Sequence, residues 1–189
     1  MSGGLPLRIQ HQTNFNKPEL YFGLFFDKLD VYTYICLLKL EEAIKSTKFR
    51  NNVHQAALNI LYTAWWLKTI MSKELKEYGL THEQFNVLRI LKGKHPEQIC
   101  VREIACRMIE KNSNVPRIID RLETKKLVKR VTSDTDKRET KIVLTPAGIN
   151  ILQHSTDRVN KIMDDTIQIS DKNALLLNQF LEELRKKQK

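Results

Sequence analysis

The chain has 189 residues, with 32 Lys and Arg against 22 Asp and Glu, for a formal net charge of +10. That length suits one domain with room for an appendage, and 41% hydrophobic with 29% charged residues excludes both a disordered chain and a fibrous repeat. Six Gly and five Pro are too few for the turns of a sandwich or barrel, so a mainly α fold is expected.

Residues 1–38 read as an N-terminal extension, partly disordered or appended. Residues 1–14 are polar and aperiodic, and 15–38 are rich in aromatics, including Phe15, Tyr21, Phe22, Phe25, Phe26, Tyr32 and Tyr34. The longest apolar stretches there are broken by Asp27, Lys28 and Asp30, so no run approaches the ~20 residues that cross a bilayer. No signal peptide is read at the N-terminus.

Residues 39–80 hold the first long helix, assigned to dimerisation. Its stripe is Val53, Ala57, Ile60, Ala64, Leu67, Met71 and Leu75, spaced by threes and fours. Gly79 ends it, and Thr81-His82-Glu83-Gln84 has the form of a capping box that starts the next helix, running to Gly93. A loop over Lys94 to Cys100 leads to a short helix at Arg102 to Met108. A break at Lys111 to Ser113 and a helix from Asn114 to Lys125 complete a helix-turn-helix.

Val128 to Thr132 and Lys141 to Leu144 flank the turn formers Ser133 to Asp136 and predict a β-hairpin. The fold class is therefore mainly α with a small β-hairpin wing: a winged helix-turn-helix lobe over 81–145 beside a helical dimerisation region. Thr145-Pro146 then starts a helix with the stripe Ile149, Leu152, Thr156, Val159 and Met163. Ser170 caps a last one carrying Ala174, Leu177, Phe180, Leu181 and Leu184, so residues 146–189 supply further dimerisation helices.

Between Arg107 and Lys141 basic residues outnumber acidic ones eleven to six, placing half the net charge in 35 residues. A helix-turn-helix followed by a basic hairpin is the footprint of a protein that lays one helix in a major groove and a wing beside it. If Ile118, Ile119 and Leu122 face inward, Asn114, Arg117 and Arg121 face outward as readers, with Ser113, Lys125 and Lys137 beside them. The alternative is a solvated basic face that touches nothing.

The strings Gly79-Leu80-Thr81-His82-Glu83-Gln84-Phe85-Asn86-Val87-Leu88, Arg102-Glu103-Ile104-Ala105 and Arg117-Ile118-Ile119-Asp120-Arg121-Leu122-Glu123, with Asp136-Lys137-Arg138 and Leu144-Thr145-Pro146-Ala147-Gly148, resemble the MarR (multiple-antibiotic-resistance regulator) family. The resemblance covers roughly residues 50 to 187. It implies a homodimer with interleaved terminal helices, a pseudo-palindromic double-stranded DNA operator, Arg138 in the minor groove and Asp136 steadying the wing. It also implies a regulator, most often a repressor, relieved by a small-molecule or stress signal. One departure is Lys126, where the family usually places Gly: either a left-handed backbone there costs a non-Gly residue ~1 kcal/mol, or the turn adopts another geometry.

Tyr62, Trp65 and Trp66 either pack in the core or dimer interface or line a cleft where such relatives take small aromatic effectors. Cys36, Cys100 and Cys106 are too few for a disulfide scaffold and suit a reducing cytoplasm; Cys100 and Cys106 are expected as buried structural thiols. The five histidines show no ligand spacing, so no metal and no cofactor are expected. Two other classes remain: a winged helix used only as a protein-interaction module, and a metal-dependent nuclease on Asp134, Asp136 and Glu139. The absence of phosphate-loop, Gly-x-Ser-x-Gly and His-Glu-x-x-His patterns argues against an enzyme.

Overall fold

The computed structural model describes residues 38–132 and 140–186, in two compact units divided after Gln55. The aromatic segment before residue 38 and the wing residues Asp136, Lys137 and Arg138 lie outside the described residues. In the first unit, a single turn, α1 (Leu40–Ala43), starts where the Lys39 N–H donates to the Glu42 carboxylate at 3.1 Å. The Gln55 amide donates to Glu41 at 2.6 Å.

Helix α2 (Asn52–Glu77) begins in that unit and runs through the second. Its apolar period is continuous, yet only the last turns meet the core: Ile70 and Leu75 are buried while Ile60, Leu61 and Trp65 stay exposed. The chain leaves α2 through Gly79 at φ +63°, with the Gly79 and Leu80 N–H groups donating to the Lys76 and Leu75 carbonyls at 2.9 and 3.0 Å. This is a Schellman ending, which needs a left-handed residue where Gly79 stands. The capping box then forms as read. Thr81 Oγ accepts from the Gln84 N–H and Gln84 Oε1 from the Thr81 N–H, each at 3.2 Å, and α3 (His82–Lys92) follows.

The expected loop over Lys94 to Cys100 ends instead in a strand, β1 (Ile99–Cys100). Two residues carry no periodicity of their own, and the strand exists because β3 offers it a free edge. Helices α4 (Val101–Arg107) and α5 (Val115–Thr124) precede the hairpin of β2 (Val128–Thr132) and β3 (Thr140–Leu144). The antiparallel sheet has the order β1-β3-β2, with Ile99 opposite Ile142 and Val128 opposite Leu144. Helices α6 (Pro146–Thr166) and α7 (Asp171–Leu184) start on the side-chain caps Thr145 and Ser170. The fold class is mainly α with a small antiparallel sheet, as the sequence indicates.

The core of the second unit joins Leu75, Phe85, Val87, Leu88, Ile104, Met108, Val115, Ile119, Leu122 and Ile142, all essentially inaccessible. Each large side chain sealed this way contributes about 1.5 to 3 kcal/mol against the entropy of ordering the chain. Gly148 is required by close approach, since a Cβ there would lie 2.0 Å from the Leu127 carbonyl oxygen. That same oxygen accepts from the Thr145 N–H at 3.1 Å.

Candidate nucleic-acid interface

The geometry starts at Asn114. Its Oδ1 accepts from the Arg117 N–H at 3.2 Å and fixes the first turn of α5. Val115, Ile119 and Leu122 then anchor one face in the core, which leaves Arg117 and Arg121 exposed on the other with Asn114 at its head. Among the described residues neither guanidinium is held by a carboxylate. Ser113, half-buried, turns its hydroxyl inward with no hydrogen-bond partner among the described residues. Together with Thr81, Glu83, Gln84 and Glu110 these side chains line an open cleft of about 320 Å³.

Lys125 is engaged differently from the readers. Its ammonium donates to the Gly79 carbonyl and, at 3.0 Å, to Gln84 Oε1, so it ties the end of α5 to the start of α3. The next residue, Lys126, has φ +60°. The Lys126 and Leu127 N–H groups donate to the Glu123 and Leu122 carbonyls at 2.8 and 3.0 Å, a second Schellman ending built without glycine.

Two charge clusters escaped the sequence reading because their members are far apart or were counted only as net charge. Arg130 of β2 pairs with Asp120 and Glu123 of α5, and its own N–H donates to Glu123 Oε1 at 3.2 Å. The hydrogen bond to Asp120 holds the Arg130 guanidinium above its ordinary pKa. Lys68 of α2 meets Glu110 at 2.6 Å and Glu83 at 3.2 Å. The Glu110 hydrogen bond raises the pKa of that ammonium, while burial and then the Lys68 charge lower that of His82.

Donor atoms of His82, Glu83 and Glu110 lie within 4.8 Å of one another and are the group best placed to hold a metal among the described residues. Both carboxylates already share the Lys68 ammonium, so the cation they need is supplied by the chain itself.

Trp65 is half exposed, with its ring 5.6 Å from that of Tyr62. It therefore does not pack in the core that the described residues form. Trp66 is half-buried, and its indole N–H is shielded from solvent with no partner among the described residues. Cys106 corrects the expectation of buried thiols. It is exposed because α4 turns Ile104 to the core, while Cys100 is half-buried.

Residues 80–140 match the family model described as MarR family. The chain is 33% identical over 84 residues to the HTH-type transcriptional regulator MhqR of Bacillus subtilis, covering 43% of this chain and 55% of MhqR. The fold is similar to that of S. aureus MepR in its DNA complex, with a TM-score of 0.62, 20% identity, and 71% and 96% of the two chains covered. It is similar also to Bordetella bronchiseptica BpsR, whose DNA binding is regulated by 6-hydroxynicotinic acid, with a TM-score of 0.61, 18% identity, and 70% and 99% covered. The chain spans about half the length of the curated relatives it matches. The helix-turn-helix and strand β2 fall within residues 80–140, the stretch that matches the MarR family model.

Proposed function

We propose that the chain is a homodimeric transcriptional regulator that reads a pseudo-palindromic operator in double-stranded DNA and acts in the cytoplasm without enzymatic activity. The observation that carries this reading is the outward row of Asn114, Arg117 and Arg121 on α5, a helix whose other face is locked in the core. Cations at that spacing on a pinned helix suit base edges and flanking phosphates in a major groove. The resemblance to the MarR family adds Lys137 and Arg138 to the proposed DNA contacts, with Asp136 in a steadying role. Lys125, also taken as a DNA contact, is exposed at the C-terminal end of α5 with its ammonium bonded to Gly79 and Gln84.

Dimerisation is supported by apolar side chains left in water on α2 and α7, among them Ile60, Leu61, Leu177, Phe180 and Leu184. Surfaces of that kind mark association sites, and a two-fold protein suits a two-fold operator. Repression relieved by a small aromatic effector is supported by the Trp66 indole N–H, which is shielded from solvent and has no acceptor among the described residues. BpsR, regulated by an aromatic acid, supports the same effector class. The effector would act by preferring a lobe spacing that does not fit adjacent grooves.

Fluorescence-anisotropy titration of a duplex selected from a random pool, at several salt concentrations, tests the reading. Arg121→Ala is expected to lose about 1 to 3 kcal/mol of discrimination between that duplex and unrelated DNA. Arg138→Ala is expected to weaken both and to lower the salt slope by about one unit. A parent chain that dimerises yet selects no duplex would instead make the lobe a protein-interaction module.

A further inference from the structure

We infer that Arg130 is a positioning residue of the reading surface, one that seats the wing on α5 and cancels two carboxylates that would otherwise repel DNA. The inference rests on the DNA-binding reading above and gives a role to a cation that net charge alone would assign to phosphate contact.

Arg130 is the third residue of β2, and Asp120 and Glu123 stand three apart on α5. One guanidinium nitrogen meets each carboxylate, and the Arg130 N–H adds a third bond to Glu123 at 3.2 Å. A planar fork held at two points, with the backbone tied beside it, fixes the angle of the strand as well as its distance; a lysine would fix only distance. The wing therefore leaves the reading helix in a set direction.

Charge gives the second half of the argument. Asp120 neighbours Arg121 and lies one turn from Arg117, and its side chain is 61% exposed, so its carboxylate borders the outward row. Unpaired there, it would sit among approaching phosphates, where like charges oppose docking. Arg130 itself is only 34% exposed, turned toward the two acids. Its charge is used within the protein, and binding should release no counterion on its account.

The test is a double-mutant cycle of Arg130→Ala against Asp120→Asn with Glu123→Gln, measured on the duplex the parent selects and repeated as thermal melting without DNA. Arg130→Ala should weaken binding on the order of tenfold. Removing both carboxylates in that background should restore most of the loss. Arg130→Lys should recover the charge effect but only part of the affinity. A salt slope lowered by about one unit, with additive effects at the two sites, would make Arg130 a phosphate contact and overturn the inference. Loss of binding with no rescue by the neutral acids would reduce it to a folding role and overturn it equally. Failure of the parent itself to bind any duplex would sink the DNA-binding reading and this inference together. That outcome is recognisable because coupling between positions 130 and 120/123 would still appear in the melting data.

Discussion

Helix α5 seals Val115, Ile119 and Leu122 from solvent, whereas α7 buries no residue and leaves Leu175, Leu177, Phe180 and Leu184 about half exposed or more. Both are amphipathic and both start on a side chain that accepts from the backbone, Asn114 in one and Ser170 in the other. Their difference lies in what stands opposite. Helix α5 finds α3, α4 and β2 within the same lobe, so its apolar face is spent on folding. Helix α7 keeps its face for something outside the lobe, and association is where that surface would be used.

The comparison breaks most directly at α7. Leu177→Glu with Phe180→Glu should remove about 3 to 6 kcal/mol of association free energy, counting two large apolar side chains, and leave the melting of the winged lobe nearly unchanged. Sedimentation of this variant beside the parent checks it; an unaltered molecular weight would mean that α7 serves another purpose.

Next in size is the opposite lesion. Ile119→Ala hollows a fully buried site and should cost about 2 to 5 kcal/mol of folding stability. Chemical denaturation should show the midpoint falling while any residual folded protein keeps its oligomeric state.

The two Schellman endings sharpen the comparison at about 1 kcal/mol. Lys126 at φ +60° occupies a conformation glycine would adopt freely, so Lys126→Gly should raise stability by roughly that amount. Gly79→Ala should lower it similarly, since a Cβ there meets nothing and only the backbone angle resists. Thermal melting of both variants decides whether a Lys at that turn is a cost or is compensated.

The smallest effect expected is on pH dependence. Burial, then the Lys68 charge, lower the His82 pKa in the folded state, so around its ordinary value of 6.5 the unfolded chain binds more protons than the folded one. Stability should therefore decrease as the pH falls through that value. His82→Gln should flatten the decline; a parent curve without slope there would contradict the shift.

Much of this architecture is legible in the amino-acid pattern because its signals are local. Thr81 with Gln84, Thr145-Pro146 and Ser170 announce helix starts in a few residues, and the structure uses each of them. Outward Arg117 and Arg121 follow from the helical period once Ile119 and Leu122 face inward. What stayed hidden depends on tertiary proximity. Strand β1 is two residues that pair only because β3 is beside them. Lys125 is an unremarkable lysine until α3 brings Gly79 and Gln84 within its reach. The Arg130 cluster looks like net charge until the hairpin folds back on α5. The stripe of α2 shows the limit of periodicity: it identifies an apolar face but cannot say that only the last turns would be covered.

Gly148 bears on how motion would pass through the molecule. Because a Cβ has no room there, the first turn of α6 rests with its backbone directly against the Leu127 peptide, immediately after the turn that ends α5. Side chains at an interface absorb small displacements by changing rotamer, and a backbone-on-backbone contact has no such slack. A tilt of α6 about that junction would press on the Leu127 peptide, which joins the exit of α5 to the entry of β2.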